Sequence, residues 1–416
     1  MASQSPFSVA VVGAGLGGLV LARVLQLHGL TVSVFEHEST VASRGQGGSL
    51  DMHAESGQYA LETAQLTAQF RKLARPEDDL MRITDKHGSV AIEVEPPPAA
   101  EDPSSDERAA PRRDRPEIDR GQLRQLLLDS LHPGTVHWDH GVESVQLSDA
   151  DDKVSLVFTR PASAITLSSN KFDIVVGADG TWSRVRPLLS PAKPTYSGVT
   201  IYEDHLTLDA NGDATLQEAA KLVDRGTLFA IGDSRAIIAQ RNSGGVVRVY
   251  AALRVPLGAF DDVADAQALG AALARRFDGW APQLRALIDT PSPTGFITRP
   301  LWVLPSGHRW DTAPGGRVTL LGDAAHLMVP FAGAGANLAM ADGADLGLAL
   351  AKVKTPAELA VRIREYETAM QERAKGEWEK SMQNMDAFMN DGAPATAVER
   401  MKLFMSSANG GPPNPN

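Results

Sequence analysis

The sequence predicts an α/β fold in which a parallel, doubly wound sheet carries an inserted, mainly antiparallel sheet and is followed by C-terminal helices. Residues 7–12 form a short apolar run, which precedes glycines, a helical pattern ending at Gly29 and a second apolar run over 31–36. This β–α–β unit requires two parallel strands joined by a crossover helix. Residues 198–254 instead alternate in polarity between short polar turns, which is typical of antiparallel strands.

The remaining elements follow from the same two periodicities. Helical spacing predicts helices over 54–74, 117–131, 333–351, 357–376 and 378–389, and β-rich apolar runs predict strands over 153–158, 171–176 and 317–323. The proline- and charge-rich stretch over 93–117 cannot form a core and is interpreted as an exposed connection. The charged face and irregular apolar seam of 357–389 favour a helix that bridges two domains over a coiled coil with a partner.

A chain of 416 residues has room for two domains, and the order of its elements predicts that these domains are interleaved. The predicted boundaries are 1–80, 114–190 and 297–345 for a discontinuous first domain, 81–113 and 191–296 for a second, 346–405 for C-terminal helices, and 406–416 for a disordered tail.

Composition excludes several classes of function. The chain has no cysteine, which excludes disulfides, thiolate metal sites and cysteine nucleophiles, so that any redox chemistry must belong to a cofactor. A net charge of −11 makes nucleic acid an unfavourable partner. No run approaches the ~20 apolar residues of a membrane span, and the N-terminus lacks the basic region of a signal peptide. We therefore expect a cytoplasmic protein without membrane or nucleic-acid partners.

The first motif is G-x-G-x-x-G, formed by Gly13, Gly15 and Gly18 between a strand and a helix. Glu36 stands at the end of the next strand, where a carboxylate can accept hydrogen bonds from ribose hydroxyls. Glycines let a pyrophosphate approach the N–H groups at the start of the helix. This combination predicts a Rossmann-like dinucleotide site and leaves FAD and NAD both open.

Two further motifs follow the strands over 171–176 and 317–323. The first is Asp179-Gly180, and the second is Gly322-Asp323, which leads through Pro330 into the glycine-containing loop ending at Asn337. A carboxylate at the end of a buried strand can orient the hydroxyls of a sugar-alcohol chain, and the N–H groups of a helix beginning near Asn337 stabilise an anion. In order and spacing, the three motifs resemble those of the group A flavin-dependent aromatic hydroxylases, the family of para-hydroxybenzoate hydroxylase.

Within that family the chain looks most like the tetracycline-inactivating flavin monooxygenases, over 44–53, 116–131 and 322–335. One departure is Ala334, where relatives commonly carry Gln; this puts a side-chain contact in doubt but retains the glycine backbone path. The resemblance implies non-covalent FAD, with NAD(P)H as a transient reductant. The cofactor-binding residues that it and the motifs imply are Gly13, Gly15, Gly18, Glu36, Arg44, Asp51, Arg120, Asp179, Gly180, Asp323, Pro330, Gly333, Gly335 and Asn337.

The activity that this resemblance implies is an NAD(P)H-dependent monooxygenase acting through a flavin hydroperoxide. Its substrate would be an aromatic or polycyclic small molecule, such as a tetracycline-like or polyketide compound, which would give a role in antibiotic resistance. Because the cofactor carries the chemistry, no catalytic side chain and no metal are expected, and we expect a monomer. The alternatives are a flavin oxidase on the same scaffold and a non-catalytic protein that sequesters flavin or a ligand.

Candidate substrate contacts lie mainly in the inserted sheet. Arg235 opens one strand and resembles a substrate-contacting arginine of the tetracycline-inactivating enzymes, while Arg248 and Tyr250 share a face of another strand. Such arginines can hold an enolate, phenolate or carboxylate, or can simply face solvent. On the first strand of the inserted sheet, the sequence does not fix whether Tyr202 or its neighbour Glu203 points inward. The predicted substrate-binding residues are Tyr202, Glu203, Arg235, Arg248, Pro330 and Phe331.

Histidines at two places raise other chemistry. His132, His137 and His140 cluster, but their spacing straddles a turn and a strand and matches no recognised metal site. His326 follows the Gly-Asp motif and is either a general base or a residue that hydrogen-bonds near the flavin. Without a positioned partner in the sequence, we favour the second role.

Overall fold

A computed structural model describes residues 7–43, 47–75, 80–95, 115–148, 152–159, 171–207, 214–313 and 316–408. The strands are β1 (Ser8–Val12), β2 (Thr31–Phe35), β3 (Ser49–Asp51), β4 (Met81–Thr84), β5 (Val90–Val94), β6 (Glu117–Asp119), β7 (Val136–His137), β8 (Val142–Leu147), β9 (Val154–Phe158), β10 (Lys171–Phe172), β11 (Ile174–Gly177), β12 (Thr195–Thr207), β13 (Thr227–Gly232), β14 (Arg235–Arg241), β15 (Val246–Arg254), β16 (Ile297–Val303) and β17 (Val318–Leu320). The helices are α1 (Leu16–Leu27), α2 (Tyr59–Thr63), α3 (Thr67–Leu73), α4 (Arg120–Asp129), α5 (Ala214–Val223), α6 (Ala266–Arg276), α7 (Pro282–Asp289), α8 (Asp323–His326), α9 (Ala334–Ala351), α10 (Pro356–Phe388) and α11 (Ala395–Ala408).

The chain divides into two compact units built from interleaved segments. Unit 1 comprises residues 1–74, 120–195 and 302–380, and unit 2 comprises 75–119, 196–301 and 381–416. Helix α10 belongs to unit 1 up to residue 380 and to unit 2 from 381, so the C-terminal helices are shared between the units rather than grouped as a third body.

The core of unit 1 is a parallel sheet of five strands in the order β17-β11-β1-β2-β7. Val12 lies opposite both Phe35 and Gly177, and Gly177 lies opposite Leu320, so four strands end on one level. Helices α1 and α9 pack closely, because a Cβ at Gly17 would stand 2.3 Å from the carbonyl oxygen of Ala339. The glycines of the first motif therefore stand at the carboxyl edge of a buried parallel sheet, where α/β proteins bind ligands.

Unit 2 contains a sheet of seven strands in the order β16-β12-β15-β14-β13-β4-β5. All its adjacent pairs with a described register are antiparallel except β13 and β4, which run parallel. Helices α5, α6 and α7 cover one face, where Leu228, Ile237 and Val249 pack with Phe277 and Leu287. The predicted fold class, an α/β protein with an inserted and mainly antiparallel sheet, is confirmed.

Several predicted elements differ in detail. The helix expected over 54–74 is a π-helical turn over Ala54–Gln58 followed by α2 and α3, with a break at Gln65, whose φ is +59°. The helix expected over 117–131 begins only at Arg120, after strand β6. The two helices expected over 357–376 and 378–389 are the single helix α10, because one glycine weakens a helix without ending it.

Two expectations concern less regular segments. Of the connection expected over 93–117, residues 96–114 lie outside the described part of the chain. Of the tail expected over 406–416, residues 406–408 are the end of α11 and the remainder is not described. Across the described ranges, none of the helices has both the length and the apolar character required to cross a bilayer.

Candidate functional site

Four turns at the carboxyl edge of the parallel sheet bring the three sequence motifs together. Gly13 follows β1, Glu36 follows β2, Asp179 lies two residues beyond β11, and Asp323 lies three residues beyond β17. Backbone hydrogen bonds join these turns across the sheet, since the Gly13 N–H donates to the carbonyl of Phe35 at 2.8 Å. The edge therefore presents a glycine turn and several carboxylates to one ligand.

The three glycines of the first motif are required for different reasons. Gly13 has a φ of +107°, and a Cβ there would stand 2.4 Å from the carbonyl oxygen of Ala178. A Cβ at Gly18 would stand 2.4 Å from the carbonyl oxygen of Gly13. At Gly15 a Cβ would meet nothing within 4 Å, and this residue caps the start of α1 with ordinary extended backbone angles. The packing of the described residues does not require glycine at position 15, so the open space there fits a ligand against the helix N-terminus.

The carboxylate of Glu36 is buried against the glycine turn. It accepts hydrogen bonds from the N–H groups of Ala14 at 2.8 Å and Glu38 at 3.0 Å. Arg124 of α4, which the sequence analysis missed, donates to the carbonyl of Ala14 at 3.0 Å and to Glu38 Oε2 at 3.0 Å. Its Nη1 is buried without a partner among the described residues. The sequence showed Arg124 only as a charge interrupting the apolar stripe of a helix.

One carboxylate oxygen of Asp179 accepts a hydrogen bond within the turn that follows β11, and the other has no partner among the described residues. Its Oδ2 accepts a hydrogen bond from the Arg184 N–H at 2.6 Å, while Oδ1 is buried with no partner among the described residues. Burial raises the pKa of this carboxyl, although hydrogen bonds from Ser183 and Arg184 oppose the rise. The adjacent Gly180 has a φ of +74°, and a Cβ there would meet nothing within 4 Å. An unused buried acceptor beside open space fits a bound hydroxyl or amide.

Asp323 is the first residue of α8 and is exposed at the end of β17. Within the described part of the chain no hydrogen bond or ion pair engages its carboxylate. Asp51 ends β3 and is close to the residue that precedes α9, since a Cβ on Gly333 would stand 3.0 Å from Asp51 Oδ1. Asp51 Oδ2 is also 2.9 Å from Nε2 of His53.

The loop before α9 offers backbone rather than side-chain contacts. Gly333 adopts the left-handed conformation with a φ of +64°, and a Cβ at Gly335 would meet nothing within 4 Å. Asn337 donates to the carbonyls of Asp51 at 2.9 Å and Gly333 at 3.3 Å and accepts from the His53 N–H at 3.0 Å. The amide of Asn337 therefore ties the loop to the helix, and the first N–H groups of α9 have no partner within the helix.

Four further predicted residues remain, and one of them lies outside the described ranges. Pro330 and Phe331 form a short 3₁₀ turn, in which Pro330 is exposed and Phe331 partly buried. The exposed Arg120 begins α4, and its N–H donates to the carbonyl of Gly48 at 3.1 Å. Arg44 lies outside the described residues.

In unit 2 the structure separates the predicted substrate-binding residues between two faces of the sheet. Tyr202 is buried among the residues that pack on α5–α7, where its ring meets Phe260 edge-on and burial raises its pKa to about 12. By register, Arg235 shares this face with Ile237. Glu203 and Arg248 lie on the opposite face. Two neighbouring residues that the sequence could not orient thus point in opposite directions.

Glu203 is the centre of a charged cluster on that opposite face. It is 3% exposed, accepts a hydrogen bond from Arg248 Nη1 at 3.1 Å and pairs through its other oxygen with Nε of Arg299. Arg299, on β16, was not singled out from the sequence because a strand arginine with exposed neighbours carries no motif. The cluster of Glu203, Arg248 and Arg299 has one net positive charge and lies beside Tyr250, which is opposite Glu203 in the sheet.

Three of the histidines singled out from the sequence contact other protein groups. His137 stacks on Phe35 with ring centroids 5.0 Å apart, and burial and the nearby His140 lower its pKa. His140 Nδ1 is 2.7 Å from the carbonyl oxygen of Trp138. His326 does have a partner, since its Nε2 is 2.6 Å from Oδ2 of the buried Asp342. That partner lies sixteen residues away on α9, so it could not be recognised from the local sequence.

The residues present fit FAD. Open space at Gly15 and Gly180, the unused buried atoms Asp179 Oδ1 and Arg124 Nη1, and the exposed Asp323 carboxylate all belong to the same edge of the sheet. A dinucleotide with two sugar chains supplies hydroxyls for carboxylates and a pyrophosphate for a helix N-terminus.

Comparison with known proteins agrees with this geometry. A family model described as FAD binding domain matches residues 7–220 and 306–381. Monooxygenase penA of Penicillium thymicola is 30% identical over 392 residues, which cover 83% of this chain and 85% of that protein.

Two solved structures show the same fold. The crystal structure of Klebsiella pneumoniae HpxO complexed with FAD and uric acid has a TM-score of 0.75 and 21% identity, covering 98% of this chain and 96% of that one. The crystal structure of tetracycline destructase Tet(51) has a TM-score of 0.67 and 18% identity, covering 98% and 99%.

Proposed function

Because this chain belongs to the FAD binding domain family and is an FAD-dependent monooxygenase of the aromatic hydroxylase group, we propose that it takes NADH or NADPH as reductant and oxygenates an aromatic or polycyclic small molecule. The observation that carries the substrate class is the cluster of Glu203, Arg248 and Arg299 beside Tyr250. A guanidinium pair with only one carboxylate between them attracts an anionic oxygen, and an aromatic ring beside them suits a planar substrate.

The chemistry that bound FAD supplies is electron transfer from the reductant and activation of O₂. The protein's own residues bind and orient it. Asp323 accepts hydrogen bonds from ribityl hydroxyls, Glu36 accepts them from the adenosine ribose, and Gly15 admits the pyrophosphate to the N–H groups of α1. The start of α9 stabilises negative charge on the flavin through its free N–H groups. Arg124 joins the cofactor-binding residues named from the sequence as a further proposed member.

On the substrate side, Arg248 and Arg299 hold a phenolate, enolate or carboxylate, and Glu203 fixes the two guanidinium groups. One reduced coenzyme, one O₂ and one proton are consumed for each oxygen atom inserted, and the second oxygen atom leaves as water. The similarity in fold to tetracycline destructase Tet(51) and to HpxO bound to uric acid suggests tetracyclines and oxygen-rich heterocycles as first compounds to try.

The test measures oxidation of NADH and NADPH by the purified holoenzyme with tetracyclines, uric acid and phenolic polyketides, together with product mass. We expect a compound that stimulates oxidation and gains one oxygen atom. Coenzyme oxidation that yields only hydrogen peroxide with every compound would contradict the proposed substrate class. Flavin binding without any coenzyme oxidation would contradict NADH or NADPH as the reductant.

A matched pair of variants tests the substrate residues. With an active compound, Arg248→Gln should raise KM about tenfold or more, because a charge-assisted hydrogen bond is worth roughly 1.5–3 kcal/mol. Arg241→Gln is the control, since Arg241 lies on the α5–α7 face of the same sheet and donates to the carbonyl of Asp224 at 2.9 Å. Equal effects of the two substitutions on KM would exclude a substrate contact at Arg248.

A further inference from the structure

The backbone of the Gly322–Asp323 turn is hydrogen-bonded to one buried carboxylate, that of Asp342. Asp342 of α9 is 0% exposed, and its Oδ2 accepts a hydrogen bond from the Gly322 N–H at 3.0 Å. The same Oδ2 is 2.6 Å from His326 Nε2, and Oδ1 accepts from Arg373 Nη2 at 2.9 Å. Asp342 thus meets both ends of the four-residue helix α8 that begins with Asp323.

The turn has a backbone conformation that glycine adopts readily. Gly322 has a φ of +58° and a ψ of −143°, a conformation that residues other than glycine rarely adopt. A Cβ at Gly322 would also stand 2.9 Å from Cβ of Ala339, so the turn rests directly on α9. Because many conformations are open to glycine, contacts such as the charge-assisted bond to the Gly322 N–H are needed to select this one.

Further polar side chains surround Asp342 within unit 1. Arg373 of α10 also donates to Asp345 Oδ2 at 2.8 Å, and the Tyr59 hydroxyl donates to Asp345 Oδ1 at 2.8 Å. A buried carboxylate is tolerated where such partners compensate its loss of hydration. The His326 ring is 8% exposed and turned toward Asp342, so its Nε2 is engaged inside the protein rather than offered to a substrate.

We propose that Asp342, His326 and Arg373 form a positioning network that fixes the Gly322–Asp323 turn and thereby sets the affinity for FAD. The inference rests on the proposed contact between Asp323 and FAD. Asp342 and His326 are positioning residues, because each acts on the cofactor through the turn that carries Asp323. The network also gives α10 a part in cofactor binding, since Arg373 lies on that helix.

The experiment titrates the apoprotein of each variant with FAD, follows the change in flavin fluorescence, and records thermal unfolding of the same samples. Asp342→Asn should weaken FAD binding about tenfold or more, because hydrogen bonds to charged groups are the costly ones to lose. His326→Leu removes the donor and should also weaken binding about tenfold, whereas His326→Gln supplies an amide donor and should stay within about threefold of the wild type.

Glu367→Gln is the matched control. Like Asp342, Glu367 is a buried carboxylate, but it lies on α10. It accepts hydrogen bonds from Trp310, Thr312 and Thr319 and none from the Gly322–Asp323 turn. It should lower the unfolding temperature and leave the Kd for FAD unchanged. If Asp342→Asn and His326→Leu likewise lower stability with an unchanged Kd, the network is structural only and the proposal is overturned.

Asp323→Ala separates the two hypotheses. An unchanged Kd in this variant overturns the proposed contact of Asp323 with FAD. A weakened Kd in Asp323→Ala together with wild-type affinity in both Asp342→Asn and His326→Leu overturns the network and leaves that contact standing. If Asp342→Asn does not fold, the difference between His326→Leu and His326→Gln decides, and equal affinities in those two variants overturn the network.

Discussion

The buried guanidinium of Arg124 joins residues that are far apart in the chain at the carboxyl edge of the parallel sheet, the edge at which we propose that FAD binds and which we call the cofactor edge. It bonds the glycine turn through Ala14, pairs with Glu38 beyond β2, and lies over the ring of Trp138 at 5.4 Å. Its removal would leave Glu38 buried without this cation, which costs more than the lost hydrogen bond itself. The side chain of Arg124 therefore connects the glycine turn after β1 with Glu38, which follows β2.

Arg124→Gln should raise the Kd for FAD about tenfold, because a charged hydrogen bond to the turn is lost. Titration of the apoprotein with FAD, followed by flavin fluorescence, measures this Kd. Arg23→Gln is the control, since Arg23 bonds the carbonyls of Ala64 and Ser130 away from the cofactor edge. Equal changes of Kd in both variants would show that Arg124 acts only through stability.

The glycines of the first motif predict two different phenotypes. Gly13→Ala should unfold at a much lower temperature or fail to fold, because its Cβ would overlap the Ala178 carbonyl and its φ is positive. Gly15→Ala should fold as an apoprotein with near wild-type stability, yet bind FAD about tenfold more weakly or worse, since its methyl group would occupy the space left for the ligand. Normal FAD affinity in Gly15→Ala would show that no ligand approaches that residue closely.

At the scale of elements, α10 shows how a long helix is held in place by buried polar contacts. Glu367 accepts hydrogen bonds from Trp310, Thr312 and Thr319, and the Tyr366 hydroxyl donates to the carbonyl of Leu320 at the end of β17. Burial, together with the nearby Asp342 and Glu367, raises the pKa of Tyr366 well above its ordinary value, whereas Arg373 opposes the rise. The helix is thereby fixed to the sheet at the strand that precedes Asp323.

Helix α10 also carries a glycine that its packing does not require. A Cβ at the exposed Gly376 would meet nothing within 4 Å, so Gly376→Ala should raise the free energy of unfolding by about 0.5–1 kcal/mol. Gly343→Ala in α9 is the control and should be destabilising, because its Cβ would stand 2.3 Å from the carbonyl oxygen of Gly17. Denaturant titration measures the free energy of unfolding of both variants. A loss of stability in Gly376→Ala would contradict the conclusion that the packing of α10 does not require a glycine at this position.

At the scale of the whole molecule, global stability should depend on pH through His326. Burial alone would lower the pKa of this ring, but the charge of Asp342, the hydrogen bond to it and the charge of Asp323 raise the pKa above its ordinary 6.5. A raised folded-state pKa contributes stability below pH 6.5 that is lost as the pH rises through that folded value. Asp342, whose pKa burial would raise but His326 and Arg373 hold low, loses its contribution only in acid.

His326→Gln should therefore have a flatter stability profile on the alkaline side. The unfolding temperature of the wild-type apoprotein should fall relative to the variant as the pH rises above about 6.5, because only the wild type loses the charged pair. Thermal unfolding in buffers of constant ionic strength measures the difference. Parallel profiles over this range would contradict a charged His326 in the folded protein.

The sequence by itself determined which short motifs lie at the carboxyl edge of the parallel sheet. Gly13, Gly18, Asp179 and Gly322 stand in short motifs directly after buried strands, and parallel strands place such ends side by side. Local steric demands on the backbone and the pattern of apolar runs were sufficient to identify that class of site. The long C-terminal helix was also predicted, apart from the interruption at 376–378 that the structure lacks.

Only the tertiary structure decided which side chains complete each site. Pairing of β12 with β15 decided that Tyr202 faces α5–α7 and that the adjacent Glu203 faces away, because a shift of one residue in a strand reverses the side that a side chain occupies. Arg124, Arg299 and Asp342 reach their partners across many residues of chain, as Arg299 does to Glu203 from 96 residues away. Such contacts depend on sheet register and helix packing, which local spacing does not encode.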